Sequence, residues 1–479
     1  MLFNSIQFAL FFPIVFILYW FATGKKFQIQ NILLLVSSYY FYGCWNWHFL
    51  FLLIFSTGLD YFTGLMMADA SNKRMKQLWF WLSVCVNLGF LGVFKYYNFF
   101  IDSFAELLTN FGLQAHFSTL QVILPVGISF YTFHGLSYVI DIYNDRIKPE
   151  RNFINYSVFV CFFPLLVAGP IERATHLLPQ ITKDRVFDYS KAADGLRQIL
   201  WGLFKKIVIA DNCAKFVNTI FDNYQTQSAS NLVLGAVMFA FQIYGDFSGY
   251  SDIALGTARL LGIELLRNFG FPYFSRDIAE FWRRWHISLT TWFRDYLYVP
   301  LGGSRGGKWM SIRNTFIIFL VSGFWHGANW TFLFWGAFHA ALFMPLLILG
   351  RNRLHTNSVA EGKLLPSFRE FIQMMTTFGL VVIGWIFFRA PSIGIAFKYI
   401  EGLFSTSLFT LPTVFVGLGK TVFSIFILLV FEWKLKERKH GLELSGLHNG
   451  MLRWLIYYSI VLMILEFGAS SQSFIYFQF

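Results

Sequence analysis

Two histidines carry the chemistry that this sequence can offer. His286 stands in FWRRWHISLTTWFRDY and His326 in SGFWHGANW, both within residues 275–330. Around them lie Trp282, Trp285, Trp292, Trp325 and Trp330, with Arg283, Arg284, Arg294 and Asp295 beside the first. A neutral imidazole can take a proton near pH 7 with little tuning, and burial keeps it neutral. His326 falls in an otherwise apolar run that must cross or enter a membrane. A titratable group at that depth is expensive and marks a functional site by default. Ser322, Asn329 and Trp330 give it polar edges. Gly323 and Gly327 form a small-xxx-small spacing that admits a close neighbouring helix. On spacing alone, a packing histidine bonded to Ser322 or Asn329 competes evenly with a catalytic base.

For His286, a helix over Phe281–Arg294 would put Trp282, Trp285, His286 and Leu289 on one face and Arg283, Ile287, Thr290 and Arg294 on another. An aromatic face beside a cationic one suits an interfacial helix at a cavity, with arginines able to hold phosphate or carboxylate oxygens. The plainer alternative, arginines on lipid headgroups and aromatics in an interfacial belt, fits that face slightly better. The glycine-rich loop LGGSRGGKW, 301–309, could cradle phosphate through backbone N–H groups. It lacks the GK[ST] of a P-loop, so a flexible basic turn is the simpler expectation. His339 and His134 are further intramembrane histidines. His48, His116, His176, His355, His440 and His448 read as loop or interface residues. No HExxH motif or carboxylate pair argues for a metal. Cys44, Cys85, Cys161 and Cys213 show no CxxC spacing and read as small buried apolar residues.

Composition dictates what must hold these groups. The 479 residues are 56% hydrophobic and only 13% charged, about half the charge of a soluble domain. Too few charges remain to cover a globule, so the solvent is lipid and the fold class is an all-α polytopic membrane protein. The net charge of +12 reflects Lys and Arg in short loops and does not point to nucleic acid. Residues 1–20 lack a basic leader and a small-residue cleavage site, so they read as a retained first helix.

Spans are expected at Phe8–Phe21, Asn31–Tyr42, Trp47–Met67, Leu78–Tyr97 and Val122–Tyr143, then Leu232–Leu261, Ile312–Ser322, Asn329–Leu349, Phe371–Phe388, Thr410–Trp433 and Trp454–Phe467. That makes about eleven by the span-length rule. Cytoplasmic basic loops (Lys73, Arg74 and Lys76; Arg146, Lys148 and Arg151) alternate the first five consistently. Asn155–Pro170 is apolar but short. Leu196–Ala210 reads as amphipathic on the membrane surface. Leu232–Leu261, with YGDFSGYSDIALG, reads as a polar-interrupted, broken span lining a cavity. No repeat or soluble domain is evident, so residues 1–479 read as a single membrane-embedded domain.

Several blocks together resemble the membrane-bound O-acyltransferases, and within them the bacterial branch that O-acetylates alginate. They are LPVGISFYTFHGLSYVIDIY, FFPLLVAGPIER, YGDFSGYSDIALGTARLLGI, NFGFPYFSRDIAEFWRRWHISLTTWFRDYLYVPLGG, SGFWHGANWTFLFWGAFHA and the tail FIYFQF. They span nearly the whole chain in order. Any one is weak, but WRRWHISL…WFRDY followed by SGFWHG is specific. The resemblance extends to proteins that export D-alanine to teichoic acid. It implies a ring of transmembrane helices, with re-entrant and interfacial pieces, around a thinned centre. It also implies that His326 is the essential catalytic histidine and His286 the second, near the acyl-transfer path. Trp282, Arg283, Arg284, Trp285, Arg294, Trp325 and Asn329 are the expected substrate contacts.

The same resemblance implies a cytoplasmic thioester donor, most simply acetyl-CoA, with no bound cofactor. The expected acceptor is an extracytoplasmic polysaccharide, often reached through a separate secreted esterase-like partner. His326 would be the general base, and His286 or a nearby N–H would stabilise the oxyanion. A covalent acyl intermediate is compatible with the same chemistry. His134 stands where relatives often have Gln, and Gly245 where they often have Cys. A transporter or export channel is the competing class, and acyl transfer to a lipid or teichoic-acid acceptor a third.

Overall fold

The computed structural model describes residues 1–24, 26–113, 122–414, 416–469 and 472–475, and every regular element among them is helical. Lys25, His116 and residues 476–479 of the tail lie outside the described residues. The helices form two compact units. One holds Met1–Asp188 with Leu261–Leu265, and the other Tyr189–Leu260 with Leu266–Phe479.

The first unit contains α1 (Ile6–Ile17), α2 (Phe27–Asn46), α3 (His48–Ala68), α4 (Lys73–Leu91), α5 (Tyr97–Asn110), α6 (Ile128–Tyr143), α7 (Phe153–Cys161) and α8 (Ala174–Ile181). Polar side chains start several of them as the sequence rules require: Asn72 Oδ1 accepts from Met75 N at the head of α4, and Asn152 Oδ1 from Ile154 N at α7. Inside, polar groups are satisfied locally. Asp60 Oδ1 accepts from Ser83 Oγ at 2.6 Å and Asn87 Nδ2 at 2.7 Å, tying α3 to α4. A Cβ on Gly135 would overlap the Asp60 carboxylate, so α6 closes over it only with glycine there. The buried Arg185 is held by Tyr19 Oη at 3.0 Å and Asn31 Oδ1 at 2.7 Å. His134 is buried, with Nε2 accepting from Glu172 N at 3.1 Å, and belongs to this unit's framework.

The second unit contains α9 (Tyr189–Leu203), α10 (Asp211–Asp222), α11 (Ala229–Leu260), α12 (Ile278–Arg284), α13 (Ile287–Phe293), α14 (Lys308–His326), α15 (Trp330–Ile348), α16 (Phe368–Arg389), α17 (Ile393–Gly402), α18 (Leu418–Lys434) and α19 (Gly450–Phe467). Two expectations are corrected here. The span over 232–261 is not broken: α11 is one continuous helix of 32 residues and is mostly buried. Its glycines serve close approach, not a break. A Cβ on Gly249 would come within 2.8 Å of Gly202 O, and one on Gly245 within 2.9 Å of Lys205 O. A cysteine at position 245 would collide with the same backbone. Its carboxylates are neutralised in place. Asp246 lies 2.8 Å from Lys206 Nζ, which also holds Asp211 at 2.8 Å, and Asp252 lies 2.5 Å from Lys205 Nζ.

The second correction follows from the first. Residues 196–210 do not lie flat on a membrane surface. They form the end of α9 and a π-helical turn, Phe204–Ala210, packed against α11 with Trp201, Phe204, Lys205 and Lys206 buried. The amphipathic pattern reports a face turned to a protein neighbour.

Helices α14 and α15 form a tight hairpin. A Cβ on Gly323 would overlap the Phe332 carbonyl, and one on Gly336 the Phe319 carbonyl. Replacing Gly323 by Val is expected to force these backbones apart and lower stability by about 2–3 kcal/mol, read as a fall in melting temperature in detergent. Wild-type melting would show that the contact is slack.

Six helices among the described residues are long and apolar enough to span a membrane: His48–Ala68, Lys73–Asn110, Ala229–Leu260, Trp330–Ile348, Phe368–Arg389 and Gly450–Phe467. Several others expected as spans are shorter or more polar, such as α18 with 17 residues. Only Ile460 of α19 is buried, while Leu455, Tyr458, Leu462 and Leu465 face outward, as a lipid-facing helix requires. Cys161 and Cys213 are buried, but Cys44 and Cys85 are exposed, so only half of the cysteines pack as expected.

Candidate active site

Residue 286 is where the predicted helix 281–294 fails. Trp285 is extended and His286 takes φ 45°, ψ 53°, a left-handed conformation rare outside glycine, asparagine and aspartate. The chain therefore makes two short helices, α12 and α13, joined at the histidine. Two backbone bonds brace the joint: Gly270 N donates to Arg284 O and Ile287 N to Asn268 O, both at 2.8 Å. Strain of this kind persists only where surroundings over-determine it, and it gathers at functional sites.

The bend, not a common helix face, sorts the side chains. His286 turns into the core, 1% exposed, with its ring 4.7 Å from Phe247 edge-on. Its Nδ1 lies 3.0 Å from Asn268 Oδ1, and burial pushes its pKa down to about 3, so the ring is neutral. Across from it, His326 ends α14, 4% exposed, with ring centroids 6.3 Å apart. Trp325 lies 5.9 Å from His286 and 5.0 Å from His326. Trp335 and Phe388 close the other sides of His326 edge-on at 5.2 and 5.5 Å. The two histidines, 40 residues apart in sequence, thus share one aromatic chamber. Gly327 permits the abrupt end of α14, because a Cβ there would overlap the Phe332 ring.

Beside this chamber is a cavity of about 450 Å³, lined by Trp282, Arg283, Thr290, Thr291, Arg294, Phe319, Ser322 and Arg353 among others. Ser322 lies one helical turn before His326 on the same face of α14, so the cavity reaches to within a turn of the histidine. Its walls are mainly apolar and include three arginines, Arg283, Arg294 and Arg353. Arg283 is half committed: Nη1 and Nη2 each donate to a carbonyl, of Asn352 and His355, at 2.6 Å. Arg294 pairs with its neighbour Asp295 at 2.7 Å and is exposed.

The other expected contacts are placed elsewhere. Arg284 donates to Glu280 Oε1, to Gly270 O and to Asn357 O, and Glu280, 1% exposed, is shared with Arg276. This arginine–glutamate knot fastens α12 to the loop at 357. Trp285 is core, 4.9 Å from Trp385 and 5.1 Å from Phe269. Asn329 caps α15, with Oδ1 accepting from Thr331 N at 3.0 Å, while Nδ2 donates to Pro391 O at 3.2 Å. His339 sits behind Trp335 and does not line the cavity. His440 lies in the loop between α18 and α19, as expected, and is buried against Asp194 at 3.1 Å. In the loop at 301–309, carbonyls of Leu301 and Gly303 accept from Asn314 Nδ2, which fixes the turn on α14.

Sequence reasoning missed Asn268. Its carbonyl holds Ile287 N and its side chain holds His286 and Ser288. No spacing rule links it to a histidine 18 residues on. The one available signal was a neutral amide in a stretch of apolar and basic residues.

Comparison with known proteins places the chain in a family. The profile of the membrane-bound O-acyltransferase family matches residues 144–384, which contain both histidines and the cavity. The alginate O-acetylase AlgI of Pseudomonas aeruginosa, described as probable, is 41% identical over 85% of this chain and 75% of its own length. A peptidoglycan O-acetyltransferase of Helicobacter pylori is 35% identical over 84% of this chain and 80% of its own. A teichoic acid D-alanyltransferase of Bacillus subtilis is 29% identical over 48% of this chain and 60% of its own. With its helical membrane fold and paired histidines, the chain belongs to the membrane-bound O-acyltransferase family and is a multi-pass membrane acyltransferase.

Proposed function

We propose that this protein moves an acetyl group from a cytoplasmic thioester, acetyl-CoA in the simplest case, to a hydroxyl on an extracytoplasmic polysaccharide such as alginate. The observation that carries the reading is the chamber holding His286 and His326, with beside it an apolar cavity that carries three arginines and is lined by Ser322, one turn before His326. The cavity suits a donor with an anionic head and a slender acyl arm. Arg353 at its edge belongs to the basic loop 351–369 that charge bias assigns to the cytoplasm. The residues matched by relatives acting on alginate and peptidoglycan support a polymer acceptor.

In this mechanism His326 takes the proton of the acceptor hydroxyl as its oxygen attacks the thioester carbonyl carbon. The C–S bond then breaks and the proton passes to the leaving sulfur. The positive charge that develops on His326 meets the carbonyl end of α14, which favours it. His286 is the second histidine of the path. Trp282, Arg283, Arg294 and Trp325 contact the donor, while Arg284, Trp285 and Asn329 hold the walls. No resident cofactor takes part. The reading includes a ring of about eleven spans around a thinned centre, with residues 1–479 acting as one domain in a bacterial inner membrane. Delivery to the polymer is either direct or through a secreted esterase-like partner.

The test is membrane vesicles given radiolabelled acetyl-CoA and the polymer. Acyl transfer requires thioester cleavage with label appearing on polysaccharide in a His326-dependent way. Movement of substrate with the thioester intact would overturn the reading.

A further inference from the structure

Asn268 holds His286 twice. Its backbone carbonyl accepts Ile287 N at 2.8 Å, which braces the left-handed turn at His286, and its side-chain Oδ1 lies 3.0 Å from His286 Nδ1. That oxygen also accepts from Ser288 Oγ at 2.9 Å, while Asn268 Nδ2 donates to Ser251 Oγ at 3.1 Å on α11. In this arrangement the amide oxygen faces the histidine and its nitrogen faces α11. An oxygen can only accept, so Nδ1 carries the ring proton. The other nitrogen, Nε2, is buried in the aromatic chamber and has no partner. Left bare, it is a lone pair and not an N–H.

We propose that Asn268 is a positioning residue that locks His286 as the Nδ1–H tautomer, so that Nε2 accepts a hydrogen bond from a substrate O–H or N–H during acyl transfer. This rests on the acyltransferase reading above and sharpens it. A neutral Nε2 without a proton cannot donate to an oxyanion, so that role passes to an N–H elsewhere, and His286 orients the donor group of a substrate beside the base His326. A histidine tautomer held by a neighbour's acceptor is worth a large factor in rate, because the wrong tautomer presents the wrong atom.

The test uses full-length protein in membrane vesicles, with acetyl-CoA as the varied substrate. Asn268→Leu removes the acceptor, and Asn268→Asp keeps it while adding charge. With folding confirmed by melting in detergent, Asn268→Leu is expected to lower kcat about 100-fold with KM within about twofold, and Asn268→Asp to recover activity to within about tenfold of wild type. A purely structural role would not be rescued by the charged isostere. Equal loss in the Leu and Asp variants overturns the proposal, as does an unaffected kcat in Asn268→Leu. If Asn268→Leu does not insert, Ser251→Ala frees the amide to flip and is expected to lower kcat several-fold, and an unchanged kcat overturns the proposal. Wild-type vesicles that never cleave the thioester would count against the acyltransferase reading itself, whatever the variants do.

Discussion

His326→Ala is expected to lower acyl transfer about 1,000-fold while the protein still inserts and melts normally. General-base catalysis contributes about 100- to 10,000-fold. His286, 6.3 Å away by ring centroid, has Nδ1 engaged by Asn268 and a different line of approach. The fold should survive because the imidazole is enclosed by rings of Trp325, Trp335 and Phe388, which hold the chamber without it. The measurement is label transfer from acetyl-CoA in vesicles, with expression and melting temperature beside it. Retention of more than about a tenth of wild-type activity would remove His326 from the base role.

The second large effect is on stability. Lys206→Leu is expected to destabilise the second unit by about 3–5 kcal/mol, because it strands two buried carboxylates. Lys206 Nζ lies 2.8 Å from both Asp211 and Asp246 and donates to Gln472 O at 3.2 Å, and all three side chains of the triad are under 9% exposed. Asp246 Oδ2 also accepts Ile475 N at 2.7 Å, so the same triad anchors the chain at 472–475. The triple variant, with Asp211→Asn and Asp246→Asn added, should recover most of the loss, since the buried charges go together. Protease resistance and melting in detergent report both. A Lys206→Leu protein as stable as wild type would mean that water reaches the triad.

Much of this was legible in the residues. The low charge, the apolar runs and the basic loops give a helical membrane protein, and the two histidine motifs mark the residues that the fold brings together. What was hidden is tertiary. The left-handed turn at His286 has no local signal, because nothing in WRRWHIS requires a positive φ; the clamp from Asn268 imposes it. The continuous helix expected over 281–294 therefore fails at His286, and Trp285 and Arg284, expected as substrate contacts, pack in the core and in the Glu280 knot. Helix α11 misled in the other direction. Glycines and aspartates usually announce an interruption, but Gly202, Lys205 and Lys206 on its partner elements absorb them. The surface helix at 196–210 failed for the same reason, since amphipathicity does not say whether water, lipid or protein lies opposite.

The aromatic chamber has one consequence outside chemistry. Trp282, Trp325, Trp335 and Trp385 lie near the histidines, with Trp335 and Trp385 stacked at 5.8 Å and Trp282 on the cavity wall. Indoles this close and this buried emit to the blue and pass excitation among themselves. The chamber is therefore an optical device as well as a reaction vessel. On the proposed path, a thioester entering past Trp282 would change the polarity that this cluster senses, so intrinsic fluorescence would time donor arrival without a label.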